Sequence, residues 1–285
     1  MRPRRSVLYM PGANERALEK AKTLPADALI LDLEDAVAPD AKVAARERVC
    51  AAVGSYGDRE VTIRVNGAGT PWHADDLRAV GAAGPSAVVV PKVNSAAEVH
   101  AIEKALSHAP DHTGIWAMIE TPVAVLDCVS IASASERLTV LVLGTNDLAK
   151  ELTAAQVPGR APLLGPLSMC VLAARATGRV ILDGVYNDVR DADGFAQECR
   201  QARDFGFDGK TLVHPSQVAP CNEIFAPSPE EVEHAHRVIA AFEEASAAGR
   251  GVATVDGRMI ENLHVADARR TLAMAEAVGD TTPER

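Results

Sequence analysis

Eight short apolar runs, each closed by a polar residue and followed by a stretch of helical spacing, constrain this chain more than any other feature. The runs are Val7–Met10, Ala28–Leu31, Val61–Val65, Ala87–Val90, Gly114–Ile119, Thr139–Leu143, Val180–Leu182 and Lys210–Val213. Short apolar runs alternating with helices predict a parallel sheet joined by crossover helices. Asn14 opens a predicted helix over Glu15–Lys22, and Pro39 opens another over Asp40–Val53. Ser95 caps Ala96–Ser107, with Glu98 placed for a capping box. Further helices are expected over Pro122–Ser133, Pro166–Thr177, Asp191–Phe205 and Glu230–Ala247. Composition agrees: 47% of residues are hydrophobic but only 4% aromatic, which argues against an aromatic-rich sandwich of β-sheets.

The residues that close the runs decide between an open sheet and a closed one. Asp32, Arg64, Lys92, Glu120, Gly144, Asp183 and His214 recur at intervals of roughly one βα unit. In a TIM (β/α)8 barrel such strand ends converge on one face, where active sites lie. An open doubly wound sheet is expected to carry a Gly-rich phosphate fingerprint, and no GxGxxG occurs. The expected architecture is therefore a barrel over residues 1–226. A C-terminal helical extension over 227–285 is punctuated by Pro227 and Pro229 and hinged near 249–251. Beyond the hinge lies an amphipathic stretch, Val265–Val278, expected to pack on the barrel or on a neighbouring subunit. Residues 279–285 read as a disordered end.

The net charge of −10 excludes a broad nucleic-acid footprint, although a local Arg/Lys cluster can still take a small anion. Five scattered cysteines without a CxxC pair predict reduced thiols in the cytoplasm. The basic N-terminus is followed by an apolar run too short for a signal peptide, and no run approaches a membrane span.

Several groups carry possible chemistry. Asp32-Leu33-Glu34-Asp35 sets three carboxylates at one strand end, either a solvated loop or the outer shell of a metal. Glu120 and Asp147 follow consecutive strands; each is either a helix-capping or surface acid, or a ligand for Mg²⁺, which is rarely caged by protein alone. Arg64, within a β-branched run, needs an anion, whether a substrate carboxylate or a buried structural partner. Lys92 either neutralises the same site or makes a structural salt bridge; neighbouring acids would hold it protonated, against a Schiff-base role. His214 reads as a base or as a capping residue. Arg4, Arg5, Arg16, Lys20 and Lys22 form a basic segment around the first βα loop, solvated or placed for the phosphates of a nucleotide-bearing substrate. No HExxH or GxSxG pattern supports a zinc or serine hydrolase.

Seven motifs in one order carry a resemblance: Arg5-Ser6-x-Leu8-x-x-Pro11, Asp32 to Val37, Arg64-Val65-Asn66, Pro91-Lys92, Ile119-Glu120-Thr121, Gly144 to Leu148 and His214 to Gln217. The chain resembles the citrate lyase β-subunit family, within the HpcH/HpaI aldolase superfamily, which includes malyl-CoA and citramalyl-CoA lyases. The resemblance implies a TIM barrel, Mg²⁺, a homotrimer or hexamer, and reversible cleavage of a short hydroxyacyl thioester to a 2-oxo acid and an acyl thioester. It implies Glu120 and Asp147 as metal ligands, Glu34 and Asp35 as holders of metal-bound water, and Arg64 as the grip on the oxo-acid carboxylate. Backbone N–H groups over Gly144, Thr145, Asn146 and Asp147 would assist Arg64, and Arg16, Lys20 and His214 would meet coenzyme A. It also implies that Glu261, where the family usually has Asp, is an acid/base delivered from a neighbouring subunit. The rival expectations are an aldolase of free oxo acids, a citrate lyase subunit dependent on an acyl carrier protein, and a thioesterase.

Overall fold

In the computed structural model, which describes residues 2–279, the eight runs become parallel strands. These are β1 (Ser6–Pro11), β2 (Ala28–Asp32), β3 (Glu60–Arg64), β4 (Ala87–Val90), β5 (Gly114–Ile119), β6 (Leu138–Leu143), β7 (Val180–Asp183) and β8 (Gly209–Leu212). Each pairs with its neighbour in sequence, and β8 returns to pair with β1, closing the (β/α)8 barrel of the TIM type. Alternate residues point inward, as the two-residue period of a strand requires. Val7, Ala28, Ile30, Val89, Trp116, Met118, Val142 and Leu182 fill the interior. Register then places the next inward positions, Asp32, Arg64, Glu120 and Gly144, at the C-terminal rim.

The connecting helices are α1 (Glu15–Ala21), α2 (Lys42–Ala52), α3 (His73–Ala83), α4 (Ala96–Ala105), α5 (Pro122–Leu126), α6 (Cys128–Ser133), α7 (Thr145–Glu151), α8 (Leu164–Thr177), α9 (Ala192–Phe205) and α10 (Val218–Phe225). The single helix expected over Pro122–Ser133 is two, broken at Asp127, whose φ of −102° and ψ of 15° leave the helical region. Helices α3, α7 and α10 have no counterpart in the sequence reading. In α3 polar residues dilute the apolar stripe, and in α10 Pro220 argues against helix although it sits in the first turn, where its missing N–H costs nothing.

Contacts divide the chain into a barrel unit, 4–222, and a second unit made of the chain from Glu223 with the first residues. In the second unit α11 (Pro229–Ala247) begins at a capping box, in which Ser228 Oγ accepts from Glu231 N and Glu231 Oε2 accepts from Ser228 N. The hinge does not lead into an open arm. It leads into a hairpin of β9 (Ala253–Val255) and β10 (Arg258–Ile260), followed by α12 (Asn262–Gly279). Asp256 and Gly257 turn the hairpin at φ of 50° and 75°, the left-handed pair that an Asp-Gly sequence favours. Ala235 and Val238 of α11 pack with Val255, Ile260 and Val265 in a small core of this unit's own. The expected disordered end lies, beyond Gly279, outside the described residues. Among the described residues no helix is long and apolar enough to cross a membrane.

Candidate active site at the barrel mouth

The rim of the barrel is organised by Asp32. Its carboxylate takes both Nε and Nη2 of Arg64 at 2.7 Å in a bidentate pair, and also accepts the backbone N–H groups of Glu34 and Ala36. One side chain thus fixes the guanidinium plane and folds the acidic loop beneath it. Lys42 tightens the same loop from α2, donating to the carbonyls of Leu33 and Glu34 at 2.7 Å. Nη1 of Arg64 meets Glu34 Oε2 at 2.8 Å and Asp35 Oδ2 at 3.3 Å. The buried structural partner expected as one alternative for Arg64 is Asp32, one of the three carboxylates read as a solvated loop or a metal's outer shell.

Glu120 ends β5 almost fully buried, its Oε1 accepting the backbone N–H of Lys92 at 2.8 Å. Lys92 turns that N–H inward by adopting φ of 51°, a left-handed conformation uncommon for lysine. Its ammonium lies 3.4 Å from Asp147 Oδ1, in the first turn of α7. Gly144, between the two acids, has no alternative: a Cβ there would fall onto the Glu120 side chain. Gly184 likewise makes room for Thr145, which is buried beside the mouth.

Burial, reinforced by Glu34 and Asp147, pushes Glu120 up to about 7. Burial does the same to Glu34, against the opposing pull of Arg64, again to about 7. Burial would lower Lys92, but Asp147 and Glu120 outweigh it and hold the ammonium charged, which excludes a neutral amine poised for a Schiff base. Five carboxylates (Asp32, Glu34, Asp35, Glu120, Asp147) thus gather around three cations, Arg64, Lys92 and, behind the acidic loop, Lys42. The excess negative charge, and the protons that Glu34 and Glu120 retain chiefly because they are buried, fit a divalent cation held by Glu120 and Asp147. Among the described residues no three His, Cys, Asp or Glu converge as a ready-made cage.

Other expected residues lie elsewhere. Asp183 does not face the mouth: its fully buried carboxylate takes Lys210 Nζ at 2.7 Å and Arg160 Nη1 at 2.8 Å, and Lys210 also binds Glu198 of α9. Burial alone would raise Asp183, but these two cations hold it ionised below the usual range. Arg4 and Arg5 precede β1, at the opposite end from the loop they were expected to join. Arg4 pairs with Glu60 at 2.6 Å and Arg5 with Asp27 at 2.7 Å. Arg16 and Lys20 stand exposed on α1, while Lys22 pairs with Glu19. His214 is exposed and caps a short turn, its Nδ1 accepting from Ser216 N at 3.2 Å. Asn146 is exposed and exchanges amide hydrogen bonds with Asn187. Glu261 belongs to the second unit, exposed between β10 and α12.

A closed parallel barrel with a carboxylate-rich mouth around one guanidinium defines a class of enzymes that handle small anions with a divalent ion. The chain belongs to the HpcH/HpaI aldolase/citrate lyase family, whose pattern it matches over residues 5–215. Residues 164–279 match a C–C bond lyase family of the TIM-barrel fold. It is 52% identical over 278 residues to a Cereibacter sphaeroides protein named (3S)-malyl-CoA thioesterase, covering 97% of this chain and 96% of that one. It is 38% identical to the citrate lyase subunit beta of Escherichia coli, over 98% of this chain and 95% of that one. Among solved structures, the Mycobacterium tuberculosis protein CitE in complex with magnesium, acetoacetate and coenzyme A superposes with a TM-score of 0.77. It is 31% identical, with 95% of this chain and 97% of that chain covered.

Proposed function

We propose that this protein is a Mg²⁺-dependent carbon–carbon lyase. It would act on the free CoA ester of a short hydroxy acid, of the malyl, citramalyl or citryl type, giving a 2-oxo acid and an acyl-CoA. The observation that carries this reading is the pair Glu120 and Asp147 on consecutive strand ends, in a mouth of excess negative charge beside a fixed guanidinium. Glu120 and Asp147 would hold the ion, and Glu34 and Asp35 its waters. When bound, the ion draws electron density from the substrate's hydroxyl and carboxylate and lowers the pKa of that hydroxyl. Arg64 has given Nε and one Nη2 hydrogen to Asp32, and its other Nη2 hydrogen serves the substrate carboxylate together with the N–H groups of Gly144 to Asp147. Glu34, whose carboxyl can hold a proton to about 7, would take the hydroxyl proton; the O–H electron pair then forms the new carbonyl, the adjacent C–C bond breaks, and its electron pair passes to the thioester as an enolate. Glu261 of a neighbouring subunit in a trimer or hexamer gives that carbon its proton. Arg16, Lys20 and His214 would steady the CoA. The free thiols of Cys50, Cys128, Cys170, Cys199 and Cys221 suit the reducing cytoplasm.

A second reading, hydrolysis of the thioester itself, is favoured by the name of the 52% identical relative. Both readings bind the same substrate in the same way and differ in the bond that breaks. Malyl-, citramalyl- and citryl-CoA, each incubated with Mg²⁺, separate them. Glyoxylate, pyruvate or oxaloacetate appearing with an intact acyl-CoA is the lyase result. Free CoA thiol with the hydroxy acid and no 2-oxo acid is the hydrolase result, and turnover that survives EDTA defeats both.

Arg64→Lys should lower kcat/KM at least about tenfold, because a point charge cannot keep the fork toward Asp32 and at the same time present a fixed N–H to the substrate. Full efficiency in that variant on every ester would make Arg64 a purely structural residue.

The raised carboxyls make metal binding depend on pH. Glu34 and Glu120, raised chiefly by burial, keep their protons to about 7 against an ordinary value of 4.5. A divalent ion must displace those protons, so its Kd should tighten by up to about tenfold per pH unit for each proton lost, and level off above pH 7. Without metal the folded state binds the protons more tightly than the unfolded state. Its stability is therefore greatest at or below pH 4.5 as far as these groups are concerned, and falls as pH rises from 4.5 to 7. Calorimetric titration of Mg²⁺ between pH 5 and 8 tests this, and a flat Kd would refute it.

A further inference from the structure

Tyr9 faces inward on β1, one layer below the rim, since it pairs with Ile30 while Pro11 pairs with Asp32. Its ring lies under Arg64, 4.8 Å from the guanidinium carbon to the centroid. Its hydroxyl reaches Sδ of Met118 at 3.9 Å, two residues before the rim position of Glu120 on β5, the strand opposite β1 in the closed order. The ring therefore spans the barrel: it roofs the apolar interior and floors the mouth, and it stays partly exposed. A phenol hydroxyl is a good donor, and a thioether at 3.9 Å is a weak acceptor. A phenol donor is thus left almost unspent beside the Arg64 guanidinium.

Building on the lyase reading, we infer that Tyr9 is a substrate-binding residue, whose hydroxyl donates to the carboxylate or oxo oxygen of the 2-oxo acid held on Arg64. Its ring meanwhile keeps the guanidinium plane level through the stacked contact. Donation to a charged group should make this contact stronger than an ordinary hydrogen bond.

The test is calorimetry of oxalate, a non-reacting dicarboxylate of 2-oxo acid shape, binding to the full-length protein with saturating Mg²⁺. Tyr9→Phe keeps the ring, the stacking and the apolar roof, and removes only the donor. It should weaken oxalate about tenfold or more, leave Mg²⁺ binding in the absence of oxalate within about twofold, and raise KM for the 2-oxo acid in the condensation direction more than it lowers kcat. Tyr9→Leu, which also removes the ring, should weaken oxalate further. Equal oxalate affinity in wild type and Tyr9→Phe overturns the role of Tyr9 while leaving the lyase reading standing. So does a loss of oxalate affinity matched by an equal loss of Mg²⁺ affinity, which would mark a disturbed site. Wild type that binds no oxalate at any Mg²⁺ concentration overturns both.

Discussion

Gly144→Ala should leave the barrel folded and abolish both turnover and Mg²⁺ binding, although the substitution adds a single methyl group. Backbone strain is not the cause, because Gly144 has φ of −99° and ψ of 75°, outside the left-handed region that favours glycine. The methyl instead falls onto both the carboxylate and the Cβ of Glu120, so shortening Glu120 to Asp would not relieve the conflict. Glu120 cannot retreat into the interior, where Met118 and Val142 fill the layer below. It must swing away from Lys92 N and from the position facing Asp147. Glu120→Gln gives the complementary result without a clash. It removes a charge that is costly to bury, so the metal-free variant should be at least as stable as wild type at pH 8, where Glu120 is ionised. Wild type at 100 times its Kd for Mg²⁺ should gain about 2.7 kcal/mol, a rise of a few degrees in Tm, whereas neither variant should respond. Both should lose roughly 10²–10³-fold or more in kcat. Thermal melts with and without Mg²⁺, set beside the thioester assay, check this, and a Gly144→Ala protein that still gains stability from Mg²⁺ would show that the carboxylate tolerates the methyl.

The barrel was legible because the signal is redundant: eight buried strands read as eight apolar runs, and polar residues or glycine at the ends of most runs mark the rim. The rim residues Arg64, Glu120 and Gly144 were legible for the same reason. The division of labour among them was not. Sequence places Asp32, Glu34 and Asp35 together, but only packing shows that Asp32 is spent on Arg64 while Glu34 is held in a partly buried site with a raised pKa. Asp183 closes a run as Asp32 does, yet it serves a buried network with Lys210 and Arg160, partners that come from a neighbouring strand and a distant turn. Tyr9 was hidden by looking like core, since an inward aromatic two residues after Val7 continues the strand period. The hairpin before Glu261 was hidden by the Gly-rich hinge, although its Asp256-Gly257 turn is a local signal that could have revealed it.

Glu261 carries the other large effect. The side chain is exposed where β10 hands over to α12, and its backbone N–H donates to His264 Nδ1 at 3.0 Å, so the carboxylate stands on a braced corner. The hairpin and two helices share a small core, which makes this corner part of a compact body able to present one acid at a defined place. A lyase must protonate the enolate carbon after C–C cleavage, and we propose that Glu261 supplies that proton to a neighbouring subunit's mouth. Glu261→Gln keeps the shape and removes the proton, so kcat should fall roughly 10²–10⁴-fold. Oxalate and Mg²⁺ affinities should hold, since neither ligand depends on that group. Glu261→Asp keeps the carboxylate, one methylene shorter, and should remain active. The assignment between subunits has a separate check, which mixes Glu261→Gln with Glu120→Gln, each inactive alone, under conditions that exchange subunits. Sites that pair an intact mouth with a neighbour's intact Glu261 should then form, and activity should return to a fraction set by the mixing ratio. A mixture that stays inactive despite demonstrated exchange would assign Glu261 to its own chain's site or remove it from catalysis. If Glu261→Gln alone kept wild-type kcat, the proton would have to come from elsewhere in the mouth.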